Sequence, residues 1–283
     1  MPPKLGVIAG GGRLPALLTA AARGQGRDVF VLALEGQTDA ATVDGVEHAW
    51  VRLGAVGKAI AVLHDAAVKD LVLAGRIERP SLFQLGFDAR GARWLAKVGR
   101  HALGDDSLLT AIIRELEGEG FAVVSSQSIL DGMTAPMGPI GRLRPDVDAE
   151  RDIRRGVAVA RALGEVDVGQ SVVVQQGIVL GVEAVEGTDA LIERCGGLRR
   201  AGRGGVMVKL VKPGQDRRAD LPVIGVATVA NAARAGLIGI AVEAGGALII
   251  DGAAVAHEAD RAGIFVVGID PASPGETMYD DGG

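Results

Sequence analysis

KLGVIAGGGRLPALLTAA, residues 4–21, reads as strand, tight turn and helix in direct succession. The apolar run 4–9 ends at Gly10, Gly11 and Gly12, after which Leu14, Leu17, Leu18 and Ala21 recur on one helical face. Pro15 suits the first turn of a helix, where its missing N–H removes no intrahelical bond. Moving outward, further strands are predicted at 29–34, 46–51, 71–74 and 121–124, with helical periodicity at 55–67 and 108–118. Strands alternating with helices imply a mostly parallel sheet covered on both faces, so residues 1–132 are predicted to form a Rossmann-like α/β domain.

The stretch MTAPMGPIGRLRP, residues 133–145, has three prolines and little periodicity and is predicted, as part of 133–147, to be a linker. A second α/β domain with a parallel or mixed sheet is expected over 148–275. Its predicted strands are 171–175, 178–182, 206–211, 223–224, 238–242, 248–250 and 264–267. Its predicted helices are 148–163, 188–195, 228–235 and 253–262.

Composition narrows the function. At 283 residues the chain can bury sizeable cores in more than one domain. Aromatic residues make up 3% and the formal net charge is -5, which leaves few stacking platforms and no cationic bias for nucleic acid. Cys195 is the sole cysteine, so no intramolecular disulfide can form and a reducing cytosol is expected. The start of the chain lacks a signal-peptide apolar core. The best apolar stretch, 237–250, falls short of the ~18 residues of a spanning helix, so a soluble protein is expected.

Against that acidic total, residues 199–218 hold seven Lys or Arg and one acid. Local cations raise the potential whatever the overall charge, which suggests an anion site in KLVKPGQDRRADLP, residues 209–222. Asp216 and Asp220 beside Gln215 add the hard oxygen donors of a phosphate-bound Mg²⁺, and the bland alternative is a solvated loop. Gly10, Gly11 and Gly12 can offer backbone N–H groups to an anion at a helix start. A dinucleotide fingerprint needs Gly where Pro15 stands, although Glu35 could still meet a ribose, so an NAD(P)-dependent oxidoreductase is one alternative. Thr188, followed by Asp189, and Thr228 are each placed as helix caps after a strand, where the turns could present amides to phosphate. No metal-type spacing joins His48, His64, His101 and His257, and Ser125, Ser126 and Ser128 lack a nucleophile elbow.

Taken together, IAGGGRLP, GDDSLL, EAVEGTDALIERC, KLVKPGQDRRADLPVIG and AGLIGIAVEAG resemble the UDP-2,3-diacylglucosamine pyrophosphatase family of lipid A synthesis over nearly the whole chain. The resemblance implies Mg²⁺-dependent hydrolysis of the sugar nucleotide's pyrophosphate, giving UMP and 2,3-diacylglucosamine 1-phosphate (lipid X). It also implies water attack on the sugar-side phosphorus and a homodimer with peripheral contact at the cytoplasmic face of a Gram-negative inner membrane.

Pyrophosphate cleavage needs the charge on phosphoryl oxygens neutralised, and no covalent nucleophile. On this basis Lys209 and Lys212 are assigned to phosphate oxygens and Gln215 to substrate orientation. Asp216 and Asp220 are assigned to the metal or to activation of water, and Gly10 to Gly12, Thr188, Asp189 and Thr228 to substrate binding. The family pattern implies an acidic residue after the Ile-Gly pair, where this chain has Ala227. The chain is thus expected to be a disabled variant at Ala227, with a non-catalytic nucleotide-sugar lipid-binding protein as the further alternative.

Overall fold

The computed structural model describes residues 2–77, 86–98, 105–130, 132–214, 216, 218 and 221–273. Two compact units emerge: residues 1–131 with 216–220, and residues 132–215 with 221–283.

The first unit is built on a five-stranded parallel sheet in the order β3-β2-β1-β4-β5. Its strands are β1 (Leu5–Ala9), β2 (Val29–Leu34), β3 (Glu47–Val51), β4 (Asp70–Ala74) and β5 (Ala122–Val123). The helices are α1 (Leu14–Gly24), α2 (Val56–Asp65), α3 (Ala89–Val98) and α4 (Asp105–Gly118). Every residue of β2 is buried, as a strand covered on both faces requires. Phe30, Leu32 and Leu34 pack with Ile60 and Leu63 of α2 and Ile113 and Leu116 of α4, while α1 packs on β1 and β2. The strand order reverses between β1 and β4, where Gly10 lies so close to the chain after β4 that a Cβ would stand 2.5 Å from the Arg76 carbonyl oxygen. Gly10 is therefore required by a backbone crossing.

The second unit holds a six-stranded mixed sheet in the order β6-β13-β11-β9-β7-β8, and a parallel pair, β10 with β12. The strands are β6 (Gly138–Pro139), β7 (Ser171–Gln175), β8 (Ile178–Val182), β9 (Val206–Lys209), β10 (Val223–Ile224), β11 (Gly239–Glu243), β12 (Leu248–Ile249) and β13 (Phe265–Ile269). Strands β9, β11 and β13 are parallel, and β7 runs antiparallel to both β9 and β8. Helix α5 (Val147–Glu165) covers one face through Ile153, Val157 and Ala160 against Val172, Val174, Val206 and Val208. The opposite face carries α6 (Thr188–Gly197), α7 (Val226–Arg234) and α8 (Gly252–Ala262), packed on Val173, Met207, Ile240, Val242 and Val266. Alternate residues of each strand thus feed two cores, following the two-residue period of a pleated strand.

Three differences from the sequence reading have simple causes. The stretch 133–145 contributes β6 and docks on the second unit, with Ile140 N–H donating to Val266 at 2.9 Å and Ile249 N–H to Met133 at 2.7 Å. Pro139 is tolerated there because β6 is an edge strand. Helix α3 has no counterpart in the sequence reading. Helix α7 begins two residues earlier than expected, so Ala227 and Thr228 lie inside its first turn.

Candidate active site

At the carboxyl edge of the second unit's sheet, the ladder aligns three polar residues from neighbouring segments. Ser171 opens β7 opposite Lys209, the last residue of β9, and Glu183 just after β8 donates its N–H to the Ser171 carbonyl at 2.8 Å. Lys209 is two residues from Met207 and so shares its face, the side covered by α6 to α8. There its Nζ donates to Thr188 Oγ1 at 2.6 Å and to Ser171 Oγ at 3.4 Å, and stands 4.0 Å from Glu183 Oε2. The Thr188 hydroxyl in turn donates to Glu183 Oε1 at 2.7 Å. Side-chain exposure of the Lys209 and Glu183 pair is 5% and 9%, and Glu183 Oε2 is buried with no hydrogen-bond partner. Removing one partner of a buried pair costs about 3–5 kcal/mol, because the other is left uncompensated.

Thr188 is thus not the helix cap expected of it. Gly187, at φ 80°, occupies that position, and the Thr188 hydroxyl is committed to Glu183 and Lys209. Thr228 is likewise the third residue of α7, with Gly225 at the cap and the Gly225 N–H donating to Thr228 Oγ1 at 3.5 Å. Asp189 Oδ1 accepts from Asn231 Nδ2 at 3.0 Å, tying the first turn of α6 to α7. Ala227 is exposed in the first turn of α7.

The charged loop divides into separate pairings. Lys212 Nζ donates to Asp167 Oδ1 at 2.6 Å. The Asp216 carboxylate accepts from Arg218 through Nε at 2.9 Å and Nη2 at 2.7 Å, and through the Arg218 backbone N–H at 3.0 Å. Hydrogen bonds from the Arg218 guanidinium hold the Asp216 carboxyl below the usual carboxylate range. Gln215 and Asp220 lie outside the described residues. Both Asp216 oxygens face a guanidinium, and among the described residues no three His, Cys, Asp or Glu side chains converge. In this arrangement Asp216 does not fit a Mg²⁺ ligand.

In the first unit, the glycine turn gives its N–H groups to the protein. Gly10 donates to Ala74 at 2.8 Å, Gly11 to Arg76 at 2.7 Å and Gly12 to Asp39 Oδ2 at 3.0 Å. A carboxylate of the same chain therefore stands at the head of α1, the place assigned to phosphate. With these amides engaged, the turn lends a dinucleotide no donors. His64 stacks on Phe121 with ring centroids 4.6 Å apart, and Cys195 is buried, its thiol pushed up by desolvation. His101 lies outside the described residues.

Of the residues singled out in the sequence, the fold joins Lys209 directly to Thr188, with Asp189 next along α6. It adds Glu183 and Ser171, which sequence reasoning missed. The available signal was an acid directly after an apolar strand, IVLGVE, within the segment EAVEGTDALIERC.

Residues 4–133 match the family model described as the LpxI N-terminal domain, and residues 136–267 match the LpxI C-terminal domain. A curated relative, UDP-2,3-diacylglucosamine pyrophosphatase LpxI of Caulobacter vibrioides, is 42% identical over 275 residues, covering 95% of this chain and 98% of that protein.

Proposed function

Since the chain belongs to the LpxI family, with both of that family's domains present, we propose that it hydrolyses the pyrophosphate of UDP-2,3-diacylglucosamine in lipid A synthesis. The observation that carries this is similarity running almost end to end with a relative named for that reaction. The products are UMP and 2,3-diacylglucosamine 1-phosphate, with water as the nucleophile at the sugar-side phosphorus. Its oxygen enters the sugar phosphate as the bond to the UMP oxygen breaks, and the water's protons are lost to solvent.

Cations and oriented donors aimed at the phosphoryl oxygens supply most of the rate enhancement in such a displacement. Lys209 serves as one of these cations, at the carboxyl edge of a parallel strand set where α/β ligands bind. Lys212 and Gln215 belong to the proposal as substrate contacts, and Asp220 as a group that binds the metal or activates water. Mg²⁺ dependence is part of it too: with Asp220 as the remaining candidate ligand, a divalent ion would supply charge neutralisation at the phosphoryl oxygens. Peripheral membrane contact follows from a substrate with two acyl chains.

Ala227 carries a finer proposal, that this chain turns over slowly for want of a carboxylate in the first turn of α7. The test incubates purified protein with UDP-2,3-diacylglucosamine in H₂¹⁸O, with Mg²⁺ or with EDTA. UMP release, ¹⁸O in the sugar 1-phosphate and loss of turnover with EDTA are expected. Binding without UMP release, both here and in Ala227→Asp, would make the protein a non-catalytic lipid-nucleotide binder.

A further inference from the structure

The Lys209 side chain is nearly enclosed, yet its ammonium makes no hydrogen-bonding contact with Glu183. It lies 2.6 Å from the Thr188 hydroxyl and 4.0 Å from Glu183 Oε2. Donor and acceptor roles run in one direction: Lys209 donates to Thr188, and Thr188 donates to Glu183. Thr188 cannot reverse, because an ammonium has no lone pair to offer its hydroxyl. Glu183 therefore dictates where the Thr188 proton points and, through it, where the lysine sits. The second Glu183 oxygen has no hydrogen-bond partner, an exception that buried polar atoms rarely show and that calls for a reason.

We propose that Glu183 is the positioning residue of the candidate site. Acting through Thr188, it holds Lys209 as a buried cation at the first turn of α6, and its second oxygen supplies the counter-charge without seizing the ammonium. A carboxylate in direct contact would lock the lysine into a closed ion pair. Here the hydroxyl intervenes, so the enclosed ammonium would meet a substrate phosphate at the sheet edge by exchanging a neutral partner instead of breaking a carboxylate contact. The role rests on the proposed phosphate contact of Lys209. The groups placed around the ammonium are Ser171 from β7, Glu183 after β8 and Thr188 from α6. Asp189, next to Thr188, is taken by Asn231 of α7, and Glu243 at the end of β11 accepts the Val211 N–H through Oε2 at 3.1 Å.

Two measurements test this on the full chain. In the first, Glu183→Gln and Thr188→Val are expected to lower kcat and kcat/KM for UDP-2,3-diacylglucosamine together by about 10- to 100-fold, the usual cost of removing a group that orients a functional one. Thr188→Ser restores the hydroxyl and is expected to restore the rate. In the second, the ¹³Cε resonance of Lys209 is titrated in ¹³C-lysine-labelled protein. In Glu183→Gln it is expected to lose its proton at lower pH than in the unmodified chain, since burial without a counter-charge disfavours the ammonium.

Equal titration in both proteins, or full rates in Glu183→Gln, would overturn the positioning role. Should the unmodified chain and Ala227→Asp both release no UMP while the titration shifts as expected, the hydrolase proposal fails and the positioning of Lys209 stands.

Discussion

Lys209 and Lys212 stand three letters apart in one cationic stretch, and folding gives them opposite settings. Lys209 ends β9 and turns into the sheet's α6 side, while Lys212 lies beyond the strand and takes Asp167. The cationic excess was legible in the sequence; the partners were not, because Glu183, Ser171 and Asp167 are distant in sequence and meet only across a folded sheet edge. Asp216 shows the same limit. Its oxygens look like metal donors in the sequence, but Arg218, two residues on, reaches back and engages both. Because that pairing lowers the folded pKa of Asp216 below its ordinary 3.8, the stabilisation is present above that value and is lost as pH falls through the lowered one. Asp216→Asn is expected to cost less than about 1 kcal/mol at pH 7, and thermal melts should converge with the unmodified chain only as pH falls below 3.8 through the lowered value. Ala227 is exposed near the start of α7, so an acid there meets the favourable end of the helix dipole and is expected to fold without penalty. Ala227→Asp is expected to raise Mg²⁺-dependent UMP release about 10²-fold, the scale of a general base. Unchanged turnover would remove residue 227 from the chemistry.

At the scale of elements, local pattern carried far. The strands at 29–34, 171–175, 178–182 and 223–224 coincide with β2, β7, β8 and β10, because continuous apolar runs bounded by turn residues leave little choice of register. What the pattern missed was β6 and α3. A two-residue strand between prolines has no period to read and exists because β13 offers it an edge. Helix ends shifted for a related reason: Gly187 and Gly225 cap α6 and α7, while Thr188 turns to Glu183 and Lys209 and Thr228 supports its cap from the third helical position. Close packing of α5 on β9 also depends on one absent side chain. At Gly156 a Cβ would lie 2.4 Å from Val208 Cγ2. Gly156→Ala is expected to destabilise the second unit by about 1–3 kcal/mol through overpacking, read as a lower urea midpoint by circular dichroism. Retained stability would show that Val208 and α5 can separate freely.

At the scale of the whole molecule, the two units each bury their own cores. No helix among the described residues is long and apolar enough to cross a membrane. A homodimer is expected, checked by sedimentation velocity at micromolar concentration; a single species at the 28.9 kDa chain mass would exclude it. Alternating apolar runs and helical periods by themselves determined two successive α/β units, since burial of a strand on both faces demands covering helices. Composition and the charged segment pointed to an anionic ligand. Tertiary structure alone decided which polar groups meet: that Glu183, Thr188, Ser171 and Lys209 share one buried cluster, and that the glycine turn spends its amides on Ala74, Arg76 and Asp39. Hydrogen bonds and ion pairs act over a few ångströms between residues remote along the chain, so only the register of strands and the seating of helices could choose them.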